Sequence, residues 1–393
     1  MSDSPASSFG SPIQPISAGV LAAIVGFASS FPIVLAGFTA VGATQDQAAS
    51  GLFAICLGLA VIGTAFAVIT RMPITIAWST PGAALLIATG LPTGGYPVAT
   101  GAFLIAGALV VVAGLWRPFG RAVSAIPLSL AGAMLAGILL ELCLAPVRAI
   151  EALPALALPI VVAWALALRF ARRYAVLIAV AVTAVIVAVA TPLPPGALAH
   201  LAPHPVFILP AFTLPGLVGI AVPLFIVTMA SQNVPGLAVL AVNGYKPEVG
   251  PIFVWTGLGS MIIALFGGHS LNLAAITAAL CAGPEAHPDP AKRWIASLAC
   301  SLAYVAIAFG ATFATAFVTA SPPLLIEAVA GLALLGSLGG ALSSALAHDE
   351  HRLPALVTFV TTASGVSFFG IGAAFWGLIA GGALMAALSL KPR

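Results

Sequence analysis

Charge is what this sequence has least of: Asp, Glu, Lys and Arg make up 6% of 393 residues, while 61% are hydrophobic. Soluble domains carry roughly 25% charged residues. So few charges cannot cover a water-facing surface, which excludes a soluble fold and makes lipid the solvent for most of the chain. The 13 basic residues are scattered along the full length and form no patch for nucleic acid. Cysteine is scarce as well. Cys56, Cys143, Cys281 and Cys300 lie singly in apolar stretches, with no CxxC or other metal spacing, and read as small apolar helix residues. Residues 1–14 lack Lys and Arg, so the basic n-region of a signal peptide is missing and the first apolar segment is expected to stay as a membrane helix. No GxSxG, HExxH or paired intramembrane aspartate occurs, which leaves an intramembrane enzyme without support and calls for no cofactor or metal.

Long apolar runs are what the chain does have. A helix crossing the hydrocarbon needs about 20 apolar residues. Spans are expected near 16–40, 48–70, 98–116, 122–141, 153–169 and 174–191, then near 215–240, 250–267, 292–317, 322–346, 355–369 and 371–389. Two shorter, interrupted stretches, 73–89 and 268–282, bring the total to fourteen elements. Charge placement supports that count. With the N-terminus inside, Arg71, Arg117, Arg121, Arg169, Arg172, Arg173, Lys246, Lys292, Arg293, Arg352, Lys391 and Arg393 all fall on the cytoplasmic side, and only Arg148 falls outside. Dropping either short element inverts everything after it. The stretch 191–212 has six prolines and no basic residue, which suits an external linker.

Seven elements on each side of that linker predict an all-α polytopic membrane protein built as a 7+7 inverted repeat, since an odd number per half reverses the second half. Gly- or Pro-interrupted segments at matching positions of two halves point to a transport site. A half-helix that starts in mid-membrane exposes unpaired N–H groups and the positive end of its dipole, and these must face protein, water or an anion. Elements 3 and 10 each read as a brief extended run followed by a half-helix. Ser79 or Thr80 would cap the first, with Pro81 in its first turn, and Ser270 would cap the second.

The intramembrane polar residues are therefore the candidates. Gln232 and Asn233 either donate to a carboxylate or hold helices together, and Pro235-Gly236 is expected to break the helix beside them. His269, at the break of element 10 with Asn272, either carries a coupled proton or is a neutral histidine bound to backbone. Glu327 is a second proton candidate, although snorkelling to the interface explains it more simply. Phe31, Phe38, Trp78 and Phe225 could stack on a ring, Trp78 best because it precedes the break. The runs 283–290 and 348–352 read as loops without metal spacing.

At Trp78-Ser79-Thr80-Pro81-Gly82, Asn233-Val234-Pro235-Gly236 and 267–274, and again at 282–287 and Asp289-Pro290, the chain resembles the bacterial benzoate membrane transporters (BenE-like) along essentially its whole length. The resemblance implies a multi-pass inner-membrane secondary transporter, termini cytoplasmic, that imports benzoate or a related aromatic carboxylate with protons by alternating access. It leaves room for a homodimer. Through distant similarity to uracil/proton symporters and sulfate-type anion transporters, it implies a core domain (15–117 and 215–318) moving against a gate domain (121–191 and 321–390), joined by the linker 192–214. Carried over by position, the site comprises Ser79, Thr80, Gln232, Asn233, Ser270 and Asn272, with Trp78 and Phe31 beside them. The nucleobase symporters carry acids where this chain has Gln232 and Asn272, and that absence suits an anionic substrate. The alternatives are transport of another small anion or a nucleobase, or an anion channel.

Overall fold

The computed structural model describes residues 13–116, 127–171, 174–190, 204–366, 368 and 373–389. The chain is a mostly helical polytopic membrane protein. In the first half the elements are α1 (Ile13–Ala40), α2 (Gln45–Thr70), β1 (Ile76–Ala77), α3 (Thr80–Thr89), α4 (Tyr96–Leu115), α5 (Leu128–Ala152), α6 (Pro154–Phe170) and α7 (Ala175–Ala190). The second half has α8 (Leu214–Ala241), α9 (Val249–Ala264), β2 (Asn272–Leu273), α10 (Ile276–Ala282), α11 (Trp294–Phe309), α12 (Ala311–Ala320), α13 (Pro323–Ala345), α14 (Arg352–Ala363) and α15 (Ala373–Ser389). Seven helices are long and apolar enough to cross a membrane, among them α1, α2, α4, α5, α8 and α13. Apolar side chains such as Ile69 and Phe170 stand about four-fifths exposed, as expected where the surrounding medium is hydrocarbon. Most of the linker 192–214, together with Arg117, Arg121, Arg172, Arg173, Lys391 and Arg393, lies outside the described residues.

Helix α1 packs on α3 and α11, α2 on α11, and α4 on α9, while α5 packs on α13 and α14, α6 on α7, and α14 on α15. The α4–α9 contact depends on glycine. A Cβ on Gly107 would lie 3.0 Å from the Gly257 carbonyl oxygen, and one on Gly257 would lie 2.7 Å from that of Gly107. Gly114 and Gly250 repeat the arrangement at 2.8 and 3.1 Å one stretch along the pair. Without a hydrophobic drive between helices in lipid, such backbone approach through small residues is what gives packing energy.

Helix α8 departs from the expected break at Pro235. It runs through Pro223 and Pro235 by widening into two π-helical turns, Leu217–Ala221 and Met229–Asn233. A proline supplies no N–H to the carbonyl four residues earlier. Those carbonyls belong to Gly219 and Ser231, both inside the π turns, where i→i+5 pairing reorganises the bonding instead. Gln232 and Asn233 thus lie on a π turn, the kind of helix bulge often associated with function.

Strands β1 and β2 pair antiparallel, Ile76 opposite Leu273 and Ala77 opposite Asn272. The Ala274 N–H extends the ladder to the Thr75 carbonyl at 2.9 Å. Each strand leads directly into a short helix, α3 or α10. The approach to β2 is fixed at Gly267, whose left-handed φ of 90° disfavours any side chain and whose carbonyl accepts from Tyr96 Oη at 2.7 Å.

Candidate functional site

The two strand–helix junctions meet in the interior. Ser79 caps α3: its Oγ accepts from the Gly82 N–H at 3.0 Å, and Pro81 occupies the first turn, where its missing N–H costs nothing. The start of α10 is different. The cap position there is Ala275, which offers no side-chain acceptor, and Ser270 lies too far upstream to serve. Because residues 272–274 stay extended to pair with β1, the helix cannot begin at Ser270. Ser270 Oγ is buried with no hydrogen-bond partner among the described residues, as is Asn272 Oδ1.

Four of the sequence candidates build the frame. Asn233 Oδ1 accepts from the Leu273 N–H at 2.9 Å, and its Nδ2 points to Met229 Sδ at 3.2 Å. Asn272 Nδ2 donates to the Leu273 carbonyl at 2.9 Å. His269 Nε2 lies 2.9 Å from the Ser79 carbonyl oxygen; a carbonyl only accepts, so Nε2 carries the hydrogen. The imidazole is enclosed edge-on by Phe38 and Phe103, and Nδ1 has no partner among the described residues. His269 and Asn233 thus tie the β2 region to α3 and α8 respectively, with Ser79 accepting at the junction.

Trp78, Thr80 and Gln232 instead line a cavity of about 50 Å³ between α1, the two junctions, α8 and α11. Trp78 Nε1 donates to Ser30 Oγ at 3.0 Å, and Ser30 donates on to the Gly26 carbonyl at 2.8 Å. Ser29, Thr277 and Tyr304 complete the polar lining, and no charged side chain takes part. These three are not singled out by the sequence reading, since a hydroxyl in a membrane helix most often bonds its own backbone. Gln232 also lines a second cavity of about 280 Å³, formed with Pro81 and Ala275 against Ala131, Gly132 and Leu135 of α5 and Ser337, Ala341 and Ser344 of α13. Leu128 and Ser344, which also line it, are both exposed.

Phe31 and Glu327 lie elsewhere. Phe31 stacks on Phe27 with ring centroids 4.9 Å apart and faces an apolar cavity against α7 and α12. Glu327, in the first turns of α13, sits within electrostatic reach of Glu141 and Arg148, which pair at 3.3 Å. The four cysteines are free and buried, and among the described residues no three His, Cys, Asp or Glu side chains form a group able to hold a metal. The 283–290 run is folded onto Arg293, whose guanidinium donates to the carbonyls of Ala282 and His287 at 2.9 and 2.8 Å.

The profile of the benzoate membrane transport protein family, BenE, matches residues 10–387. The chain belongs to this family. It is a family of membrane transporters and not of enzymes. Among relatives, the chain is 39% identical to the inner membrane protein YdcO of Escherichia coli strain K12 over 382 residues, 97% of each chain. It is 33% identical to the benzoate membrane transport protein of Acinetobacter baylyi over 382 residues, 96% of this chain and 95% of the other. Among solved structures it resembles the transmembrane domain of a cyanobacterial bicarbonate transporter, BicA, with a TM-score of 0.58 at 14% identity, covering 94% of this chain and 98% of that one. It also resembles the murine Solute Carrier 26 family member A9 anion transporter in its inward-facing state, with a TM-score of 0.64 at 13% identity, over 99% and 70% of the two chains. At such identities the likeness is one of fold. This member of the BenE family therefore carries, at the junction of its two strand–helix elements, a neutral polar cavity with a larger one beside it.

Proposed function

We propose that the chain imports benzoate or a closely related aromatic carboxylate, with protons, by alternating access. The observation that carries the reading is the cavity bounded by Trp78, Thr80, Gln232, Thr277 and Tyr304, in which every polar lining group is neutral. Neutral donors hold a carboxylate without the desolvation cost of an unpaired buried charge, and an acid there would repel it. The indole of Trp78, edge-on to Phe27 and Tyr304 at 6.0 and 5.9 Å, offers an aromatic wall for the ring.

A single-ring acid does not fit in about 50 Å³, a space that suits one or two waters. Gln232 borders both cavities and its amide has no hydrogen-bond partner among the described residues; in this reading a rotation of that side chain is the movement that opens one space to the other and admits a ring. In this reading fourteen crossing elements form a 7+7 inverted repeat, with β1–α3 and β2–α10 as the third and tenth and α11–α12 as one. A core of α1–α4 and α8–α12 moves against a gate of α5–α7 and α13–α15, and the larger cavity lies along that seam. Its mouth adjoins the ends of α5 and α13 next to the basic segments, which the positive-inside rule puts in the cytoplasm. The state is then inward-facing, with both termini cytoplasmic in an inner membrane. His269 is the candidate proton carrier; the substrate carboxyl is the other. The test is uptake of radiolabelled benzoate into proteoliposomes: an inward proton gradient should raise it, and gradient-independent flux at channel rates would remove symport.

A second reading, transport of a small inorganic anion, is favoured by the small volume of the inner cavity. Competition between bicarbonate and benzoate in the same vesicles separates the two.

A further inference from the structure

We infer that Tyr304, on α11, is a specificity-determining residue of this transporter that donates directly to the bound carboxylate. The inference rests on the reading above that the inner cavity is the binding site. Tyr304 is 4% exposed, and it lines the cavity together with Gln232. Its ring meets Trp78 edge-on at 5.9 Å. Among the described residues its hydroxyl, which faces the cavity, has no hydrogen-bond partner, although a buried tyrosine ordinarily finds one for its O–H. Its O–H is thus left to a group held in the cavity, a water in the empty site or the ligand in the loaded one. The acceptor has to come from within the cavity, and the surrounding hydroxyls do not take the role in this state.

The backbone opposite is shaped to leave that hydroxyl accessible. A Cβ on Gly26 of α1 would stand 3.0 Å from Tyr304 Oη and 2.9 Å from Thr277 Cγ2. Glycine at this position keeps α1 off the hydroxyl, and a methyl there would fill the space in front of it. Tyr304 and Gln232 thus line the cavity from two different helices, α11 and α8. An anion held in the cavity receives a neutral donor from each of them.

The test is isothermal titration calorimetry of sodium benzoate, sodium bicarbonate and uracil with the purified full-length protein and its Y304F variant. A hydrogen bond to a charged group is worth enough to weaken benzoate binding roughly 10- to 100-fold on removal, with the ligand-free melting temperature unchanged. Benzoate bound equally well by Y304F overturns the inference. If the wild type ignores benzoate and binds bicarbonate, the aromatic reading fails, and the same comparison with bicarbonate decides Tyr304. Preference for uracil, a neutral ligand, overturns Tyr304 as an anion donor, and binding of none of the three overturns both readings. Should Y304F lower the melting temperature, G26A serves instead: it crowds Oη from outside the ring and is expected to weaken benzoate at least tenfold, and unchanged affinity overturns the inference.

Discussion

Asn233 Oδ1 accepts the backbone N–H of Leu273 at 2.9 Å, joining the π turn of α8 to β2. The side-chain amide of its neighbour Gln232 has no hydrogen-bond partner among the described residues, and it borders both cavities. Two amides adjacent in sequence therefore do different work, and substitution should separate them.

Asn233→Leu is expected to lower stability by about 1–3 kcal/mol, because it leaves the Leu273 N–H buried without an acceptor. Chemical denaturation in detergent checks it, and a variant as stable as the wild type would remove the clamp.

Gln232→Ala should leave the unfolding transition where it is and weaken benzoate binding about tenfold. Thermal shift with and without benzoate measures both quantities on one sample. Stability lost together with binding would mean that Gln232 is structural.

His269→Gln retains a donor for the Ser79 carbonyl and removes the titrating group. Uptake into proteoliposomes is expected to continue at a reduced rate and to lose its dependence on the proton gradient. Persistence of that dependence would assign the proton to the substrate carboxyl.

Gly257→Ala puts a methyl 2.7 Å from the Gly107 carbonyl oxygen, and the helices must separate to admit it. The expected loss is about 1–3 kcal/mol, as for other overpacked interiors. A tolerated alanine, read by the same denaturation assay, would show that α4 and α9 slide freely.

The helical membrane architecture and the cap of α3 were legible because each rests on local chemistry: charge scarcity, span length, and a serine two positions before a proline. Ser270 reads as a cap and is not one, because β pairing across nearly two hundred residues, which holds 272–274 extended, leaves no local trace. The continuity of α8 was hidden for a related reason. Pro235 signals a break, and only the bonding of the whole helix reveals that a π turn absorbs it. Tyr304 was invisible because an aromatic in an apolar helix looks like packing until its hydroxyl is found without a partner. The amide pair was seen, but which member faces the cavity depends on where β2 lies.

The β1–β2 ladder is only two residue pairs long, and in water so short a ribbon would fray. In the bilayer interior its opening would strand several amides where nothing can rehydrate them, at several kcal/mol for each group. The ladder therefore behaves as a rivet. Any force that displaces α3 is transmitted to α10, so the two short helices travel together. The amide hydrogen of Ala274, which the Thr75 carbonyl holds, should accordingly be among the last in the molecule to exchange with solvent deuterium.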